Sequence, residues 1–166
     1  MAIDPILARH ERILAAVEHV EALIAARPVK IDALAERRWA FTHEMLLHCA
    51  QMSDLFAELM TDSRTEATAS AALANERTKA FVAYFHEHVA RWYGFPPAEQ
   101  WTEYRDAVAR LAERIRELVE CEAREIVPLL PVRPSGAAAP VLQQNYVEDA
   151  LRVRRRIFDP NRRPLE

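Results

Sequence analysis

The chain has 166 residues, 51% hydrophobic and 28% charged, which predicts one globular domain and excludes a disordered or collagen-like chain. Its formal net charge of −3 argues against a general attraction to nucleic acid, and no apolar run approaches the roughly 20 residues of a membrane helix. With only two glycines and abundant helix-forming residues, the composition predicts an all-α protein.

The first two predicted helices each carry a histidine in an apolar row. The first spans residues 5–27, where Asp4 can accept an N-terminal amide hydrogen bond, and the second spans about 32–60. Apolar residues recur at three- and four-residue steps, so His10 and His48 are expected to face the core. The rows contain Ile6, His10, Ile13, Val17, Val20 and Ile24, and then Leu34, Phe41, Met45, His48, Met52, Leu55 and Leu59.

The third and fourth predicted helices complete a bundle. The third spans about 73–93, after a Ser-, Thr- and Asp-containing stretch over 61–70 that is typical of a loop or a weak helix start. The fourth spans about 97–129 and carries one acid, Glu122, in its apolar row. Long amphipathic helices with short connections favour an antiparallel up-down-up-down four-helix bundle over residues 1–130.

Residues 131–166 are predicted to form a C-terminal helical arm. It begins with a proline- and alanine-rich linker and continues as a short basic amphipathic helix near 141–158. Such a short helix must pack on its own bundle or on another chain, and we favour packing that contributes to a homodimer. We interpret the arginines at 152 and 154–156 as a solvated face rather than a nucleic-acid site.

Three polar residues in core rows of separate helices are expected to meet. With a rise of about 1.5 Å per residue, His10 and His48 lie at matched distances from the turn between their helices, and Glu122 reaches the same layer. His88 lies too near the opposite end of the bundle to join them. Glu76 is the nearest candidate on the third helix, so the predicted metal ligands are His10, His48, Glu122 and Glu76.

Imidazole nitrogen and carboxylate oxygen are ligands that suit iron, zinc or manganese. A core histidine can instead be hydrogen-bonded to a neighbouring carboxylate, and Glu44, one turn before His48, could serve in that way. The alternative function is therefore a non-metal helical interaction or dimerisation module whose buried polar residues only satisfy one another.

Several segments resemble the bacterial branch of the hemerythrin-like HHE cation-binding family. They are Leu7–Leu14 (LARHERIL), His48 ahead of Leu55 and Phe56, Phe81–Trp92 followed by Trp101, Tyr104 and Leu111, and Glu122–Leu130 (EAREIVPLL). The resemblance covers about residues 3–130. It implies a four-helix bundle with a non-haem iron pair that serves oxygen or nitric oxide binding, iron sensing or repair of iron centres.

The ligand set departs from that family pattern. Met52 stands where a bridging carboxylate is expected after His48, and Glu76 to Ala80 stand where the third helix would offer two histidines. Glu117 or Leu118 replaces the histidine ahead of Glu122. With Glu76, Glu117 or Gln51 as the available substitutes, the site is a single-metal site, a reorganised site or a lost one.

Other chemistry has little support in the sequence. The two cysteines, Cys49 and Cys121, have no positioned partner, and free cysteines are commonly buried as small hydrophobic residues. A secreted disulfide scaffold is not expected, because no secretion signal is recognisable, so we expect a cytoplasmic protein. No residue pattern indicates an enzymatic reaction.

Overall fold

The computed structural model describes residues 5–61 and 65–130, with side chains for residues 6–61 and 66–130. This part of the chain contains four α-helices and no strand, which confirms the all-α prediction. The helices are α1 (Pro5–Ala25), α2 (Ile31–Met60), α3 (Thr65–Arg91) and α4 (Trp101–Glu125), with short 3-10 helices at Ala98–Gln100 and Val127–Leu129. The predicted linker and arm, residues 131–166, lie outside the described residues.

Each helix contacts its neighbours along the chain, and α1 also contacts α4. The buried side chains form two clusters. The larger cluster contains the aromatic residues Phe41, Phe81, Phe85, Trp92 and Tyr104. The smaller one consists of Met52, Phe56, Leu59, Ala71, Ala74 and Ile126. None of the described helices has the length and apolar character needed to cross a membrane.

The predicted apolar rows are buried almost throughout. His10, Ile13, Val17, Val20 and Ile24 of α1 are all buried. In α2 the row is also buried, except for Leu55, which is half-buried. Its neighbour Phe56, which was not in the predicted row, is fully buried instead. The helical period therefore identified the inward faces of both helices correctly.

Helix α3 begins at Thr65, eight positions before the start at 73 that the sequence predicts. The first ten residues of α3, over 65–74, contain five alanines, the strongest helix former, and the first turn carries the acid Glu66. Ala67 and Ala71 are buried, so this early part of α3 packs against the rest of the protein despite its small side chains.

Helix α4 ends at Glu125, before the predicted end at 129. Pro128 lacks a backbone N–H and cannot continue the helical hydrogen bonds, so the chain passes into the 3-10 turn at Val127–Leu129. Glu122 consequently lies in the last turn of α4, and its side chain is buried in the core.

Candidate metal centre

Side chains from three helices converge at one buried point. His10 comes from α1, His48 from α2 and Glu122 from α4, and none is more than 3% exposed. Oε2 of Glu122 lies 3.1 Å from Nε2 of His10 and 2.8 Å from Nε2 of His48. The two imidazole rings meet edge to face with their centroids 5.1 Å apart. The structure thus brings together three of the four predicted ligands.

Glu122 is the acidic member of this cluster. Burial by itself raises the pKa of this carboxyl group, but the hydrogen bonds with His10 and His48 oppose that effect and hold the pKa below its ordinary value. The carboxylate is therefore ionised at neutral pH and can only accept hydrogen bonds. Each imidazole consequently donates an N–H from Nε2 to the same carboxylate oxygen.

Two atoms of the cluster have no hydrogen-bond partner among the described residues. They are Oε1 of Glu122 and Nδ1 of His10, both enclosed by protein. The hydroxyl of Thr78, on the buried face of α3, is in the same condition. An unpaired buried polar atom costs about 1–3 kcal/mol, so such atoms are rare in native proteins unless a water or an ion completes them.

The residues fit a single metal ion. One ligand atom from each of His10, His48 and Glu122 lies within 4.8 Å of the other two, so all three can reach one point. Two imidazoles and one carboxylate form the protein ligand set of many zinc sites and of the facial triad of non-haem iron proteins. A bound ion would replace the Nε2 protons and relieve the crowding of two donors on one oxygen.

The positions expected to supply further ligands do not do so. Met52, one turn after His48, is fully buried with Phe56 and Ile126 in the smaller apolar cluster, and its thioether offers no oxygen. Glu117 is exposed and Gln51 is half-buried, and neither belongs to the cluster. Among the described residues, the cluster therefore contains one carboxylate, too few for a bridged pair of ions.

Glu76, the fourth predicted ligand, does not lie in the cluster. Its side chain is 70% exposed and accepts a hydrogen bond from Lys79 at 2.8 Å. The buried stripe of α3 passes through Ala74 and Thr78. Glu76 is two residues from each of them, a rotation of roughly 200° around the helix axis, so its side chain points to the opposite side of α3. Thr78 on this stripe is buried with its hydroxyl unpaired, and its position on the stripe is the signal that could have identified it from the sequence.

Two neighbouring groups define the surroundings of the cluster. Glu44, the alternative partner for His48, instead faces Arg9 at 3.9 Å and Arg12 at 3.6 Å. Cys49 is buried beside the site, and burial, followed by the charge of Glu122, raises the pKa of its thiol to about 12. Cys49 is therefore a neutral thiol at physiological pH and not a nucleophile.

Comparison with known proteins identifies no relative of this chain: no protein-family model, curated protein or solved structure matches it.

Proposed function

We propose that this protein is a hemerythrin-like bundle that binds one first-row metal ion, iron in the first instance, through His10, His48 and Glu122. The observation that carries the proposal is the convergence of three metal-ligating side chains from three helices at a fully buried point. Burying an ionised carboxylate with two imidazoles costs free energy, and binding of a metal cation at the site would offset that cost.

The proposal includes the antiparallel up-down-up-down topology. The ion pairs between α3 and α4 support it, because the partners run in opposite order along the two helices: Arg77 pairs with Glu125, and Arg91 pairs with Glu103. In this topology the beginning of α1 and the ends of α2 and α4 share one end of the bundle, which is the arrangement that the ligand cluster requires.

We infer a single ion rather than a pair. The cluster supplies two imidazoles and one carboxylate, and the position of the expected bridging ligand is occupied by the thioether of Met52. When bound by only three protein groups, iron keeps open coordination positions that accept a small molecule such as oxygen or nitric oxide. The proposed role is accordingly binding or sensing of such a ligand, or of iron itself.

A second candidate function is a non-metal interaction module. It is favoured by the hydrogen bonds of 2.8 and 3.1 Å that already join Glu122 to both histidines. In that case the cluster is a structural polar network that favours one packing arrangement of the helices over others.

Calorimetric titration of the full chain, after treatment with a chelator, tests the proposal. Zinc, or iron(II) under anaerobic conditions, should bind with a stoichiometry of about one ion per chain. Glu122→Gln should weaken binding at least tenfold, because Glu122 is the one anionic group among the three proposed ligands. Glu120→Gln is the matched control, since it makes the same charge change on the same helix at a side chain that is 77% exposed. Equal affinity of both variants, or no binding by the unmodified chain, would refute the metal site.

A further inference from the structure

Thr78 carries a buried hydroxyl group that the proposed metal ligands do not use. The residue is 5% exposed, and its Oγ1 has no hydrogen-bond partner among the described residues. A threonine inside a helix commonly donates its hydroxyl to the carbonyl one turn before, as Thr42 does to Arg38 at 2.8 Å. Thr78 makes no such bond, so both the donor and the acceptor capacity of its hydroxyl are unused inside the protein.

The contacts between α2 and α3 place Thr78 at the depth of His48. The rings of Phe41 and Phe85 meet edge to face with their centroids 6.0 Å apart, and this contact sets the register of the two helices. His48 follows Phe41 by seven residues, toward the connection between α2 and α3. Thr78 precedes Phe85 by the same number, toward the same connection in the proposed antiparallel topology. Seven residues are two turns and restore the direction of a side chain to within about 20°, so His48 and Thr78 face the core at one level.

The contacts between α3 and α4 give the same depth from the other side. Arg77, the residue before Thr78, pairs with Glu125 of α4. Glu122 precedes Glu125 by three residues, which is about 4.5 Å along the helix axis. Thr78 and Glu122 therefore lie within about one turn of each other, and both are buried. Helix α3 thus contributes Thr78 to the layer in which the other three helices contribute the proposed metal ligands.

The chemistry of this layer gives the hydroxyl a role. Because the proposed ligands come from α1, α2 and α4, the open coordination side of a bound ion is the side of α3, which supplies no ligand to the cluster. A threonine hydroxyl is neutral and can donate one hydrogen bond to a lone pair in front of it. Such a bond is strongest when the acceptor is charged.

We propose that the hydroxyl of Thr78 donates a hydrogen bond to a small ligand at the open coordination position of the ion, and thereby favours ligands whose outer atom accepts such a bond. This inference rests on the proposed metal site and adds the group that recognises the ligand. Thr78 is accordingly a ligand-binding residue and not a metal ligand.

The test is a titration of the cobalt(II)-loaded full chain with sodium azide, followed by the visible absorption of the ion. Thr78→Val keeps the shape of the side chain and removes the hydroxyl, so it should weaken azide binding at least tenfold and change cobalt affinity less than twofold. Thr78→Ser retains the hydroxyl and should bind azide as the unmodified chain does. Thr42→Val is the matched control, since it removes a buried threonine hydroxyl that is already paired, and it should leave azide binding unchanged.

Thermal unfolding in chelator tests the unpaired state of the hydroxyl without any metal. Thr78→Val should raise the melting temperature, because it replaces a buried hydroxyl that has no partner, whereas Thr42→Val should not, because it breaks a hydrogen bond. Thr78→Ala, which also lacks the hydroxyl and favours a helix, takes the place of Thr78→Val in the azide titration if the latter does not fold.

The outcomes separate this inference from the metal site. Azide affinity that Thr78→Val leaves unchanged, in a chain that binds cobalt, would overturn the role of Thr78 and leave the metal site intact. A lower melting temperature of Thr78→Val in chelator would also overturn it, because the hydroxyl would then be paired in the free protein. Absence of cobalt binding by the unmodified chain would refute the metal site, and the inference with it.

Discussion

Replacing His48 with alanine separates the metal site from a structural polar network. The side chain of His48 is almost completely buried and makes the shorter of the two hydrogen bonds to Glu122, at 2.8 Å. Losing a hydrogen bond to a charged group costs about 1.5–3 kcal/mol, and the space left by the ring adds a cavity term. We expect a total of roughly 2–4 kcal/mol in chelator, or roughly 4–16 °C in the melting temperature for a chain of this size.

Metal should increase this difference. A ligand present at about one hundred times its Kd stabilises the native state by about 2.7 kcal/mol, which is roughly 5–11 °C here. The unmodified chain has all three ligands and should gain this stability. His48→Ala retains only His10 and Glu122 and should gain little. The melting temperatures of the two proteins should therefore lie farther apart in zinc than in chelator.

The assay is thermal unfolding by circular dichroism of both proteins, with excess zinc and with chelator. His43→Ala, an exposed histidine on the same helix, is the control and should respond to zinc as the unmodified chain does. If His48→Ala lowers the melting temperature by the same amount in zinc and in chelator, metal has no role at this residue and the network hypothesis is preferred.

Three further predictions concern other parts of the chain. Burial lowers the pKa of His88 to about 4, against 6.5 in the unfolded state, so unfolding takes up a proton when the pH lies between these values. The free energy of unfolding should therefore decline, by at most about 3 kcal/mol, as the pH falls from 6.5 toward 4. Urea unfolding of His88→Gln should lack this decline, and an unchanged pH profile would contradict the assignment. A thiol reagent should modify the half-buried Cys121 and spare the buried Cys49 in the native protein, as mass spectrometry of the labelled peptides would reveal; rapid labelling of Cys49 would argue against its burial. Deletion of residues 131–166 should weaken self-association in analytical ultracentrifugation if the arm contributes to a homodimer, and an unchanged association state would rule that role out.

The positions of His10, His48 and Glu122 could be predicted because two properties of an α-helix are sufficient to place a side chain in a bundle. The spacing of apolar residues identifies the inward face, and the rise per residue gives the depth of each side chain in the bundle. Both signals were strong in α1, α2 and α4, and the three residues meet within hydrogen-bond distance.

The errors arose where these signals were weak. In the first half of α3 the buried residues are alanines, which contribute little contrast between the two faces, so neither the start at Thr65 nor the outward direction of Glu76 could be read from the pattern. The position of the Arg38 guanidinium was also beyond prediction, because this long side chain reaches from α2 to the carbonyl of Trp92 and to the rings of Phe95 and Tyr104. Such contacts depend on how the helices pack and not on their period.

We propose that His10, His48 and Glu122 hold one metal ion, and the metal content of the protein reports on this site. The most direct measurement is the metal content of the full chain purified without chelator, by elemental analysis, beside that of Glu122→Gln and the Glu120→Gln control. We expect about one first-row metal ion per unmodified chain and per control chain, and much less in Glu122→Gln. Two ions per chain would contradict the single site, and a metal content that Glu122→Gln does not change would show that the ion is bound elsewhere.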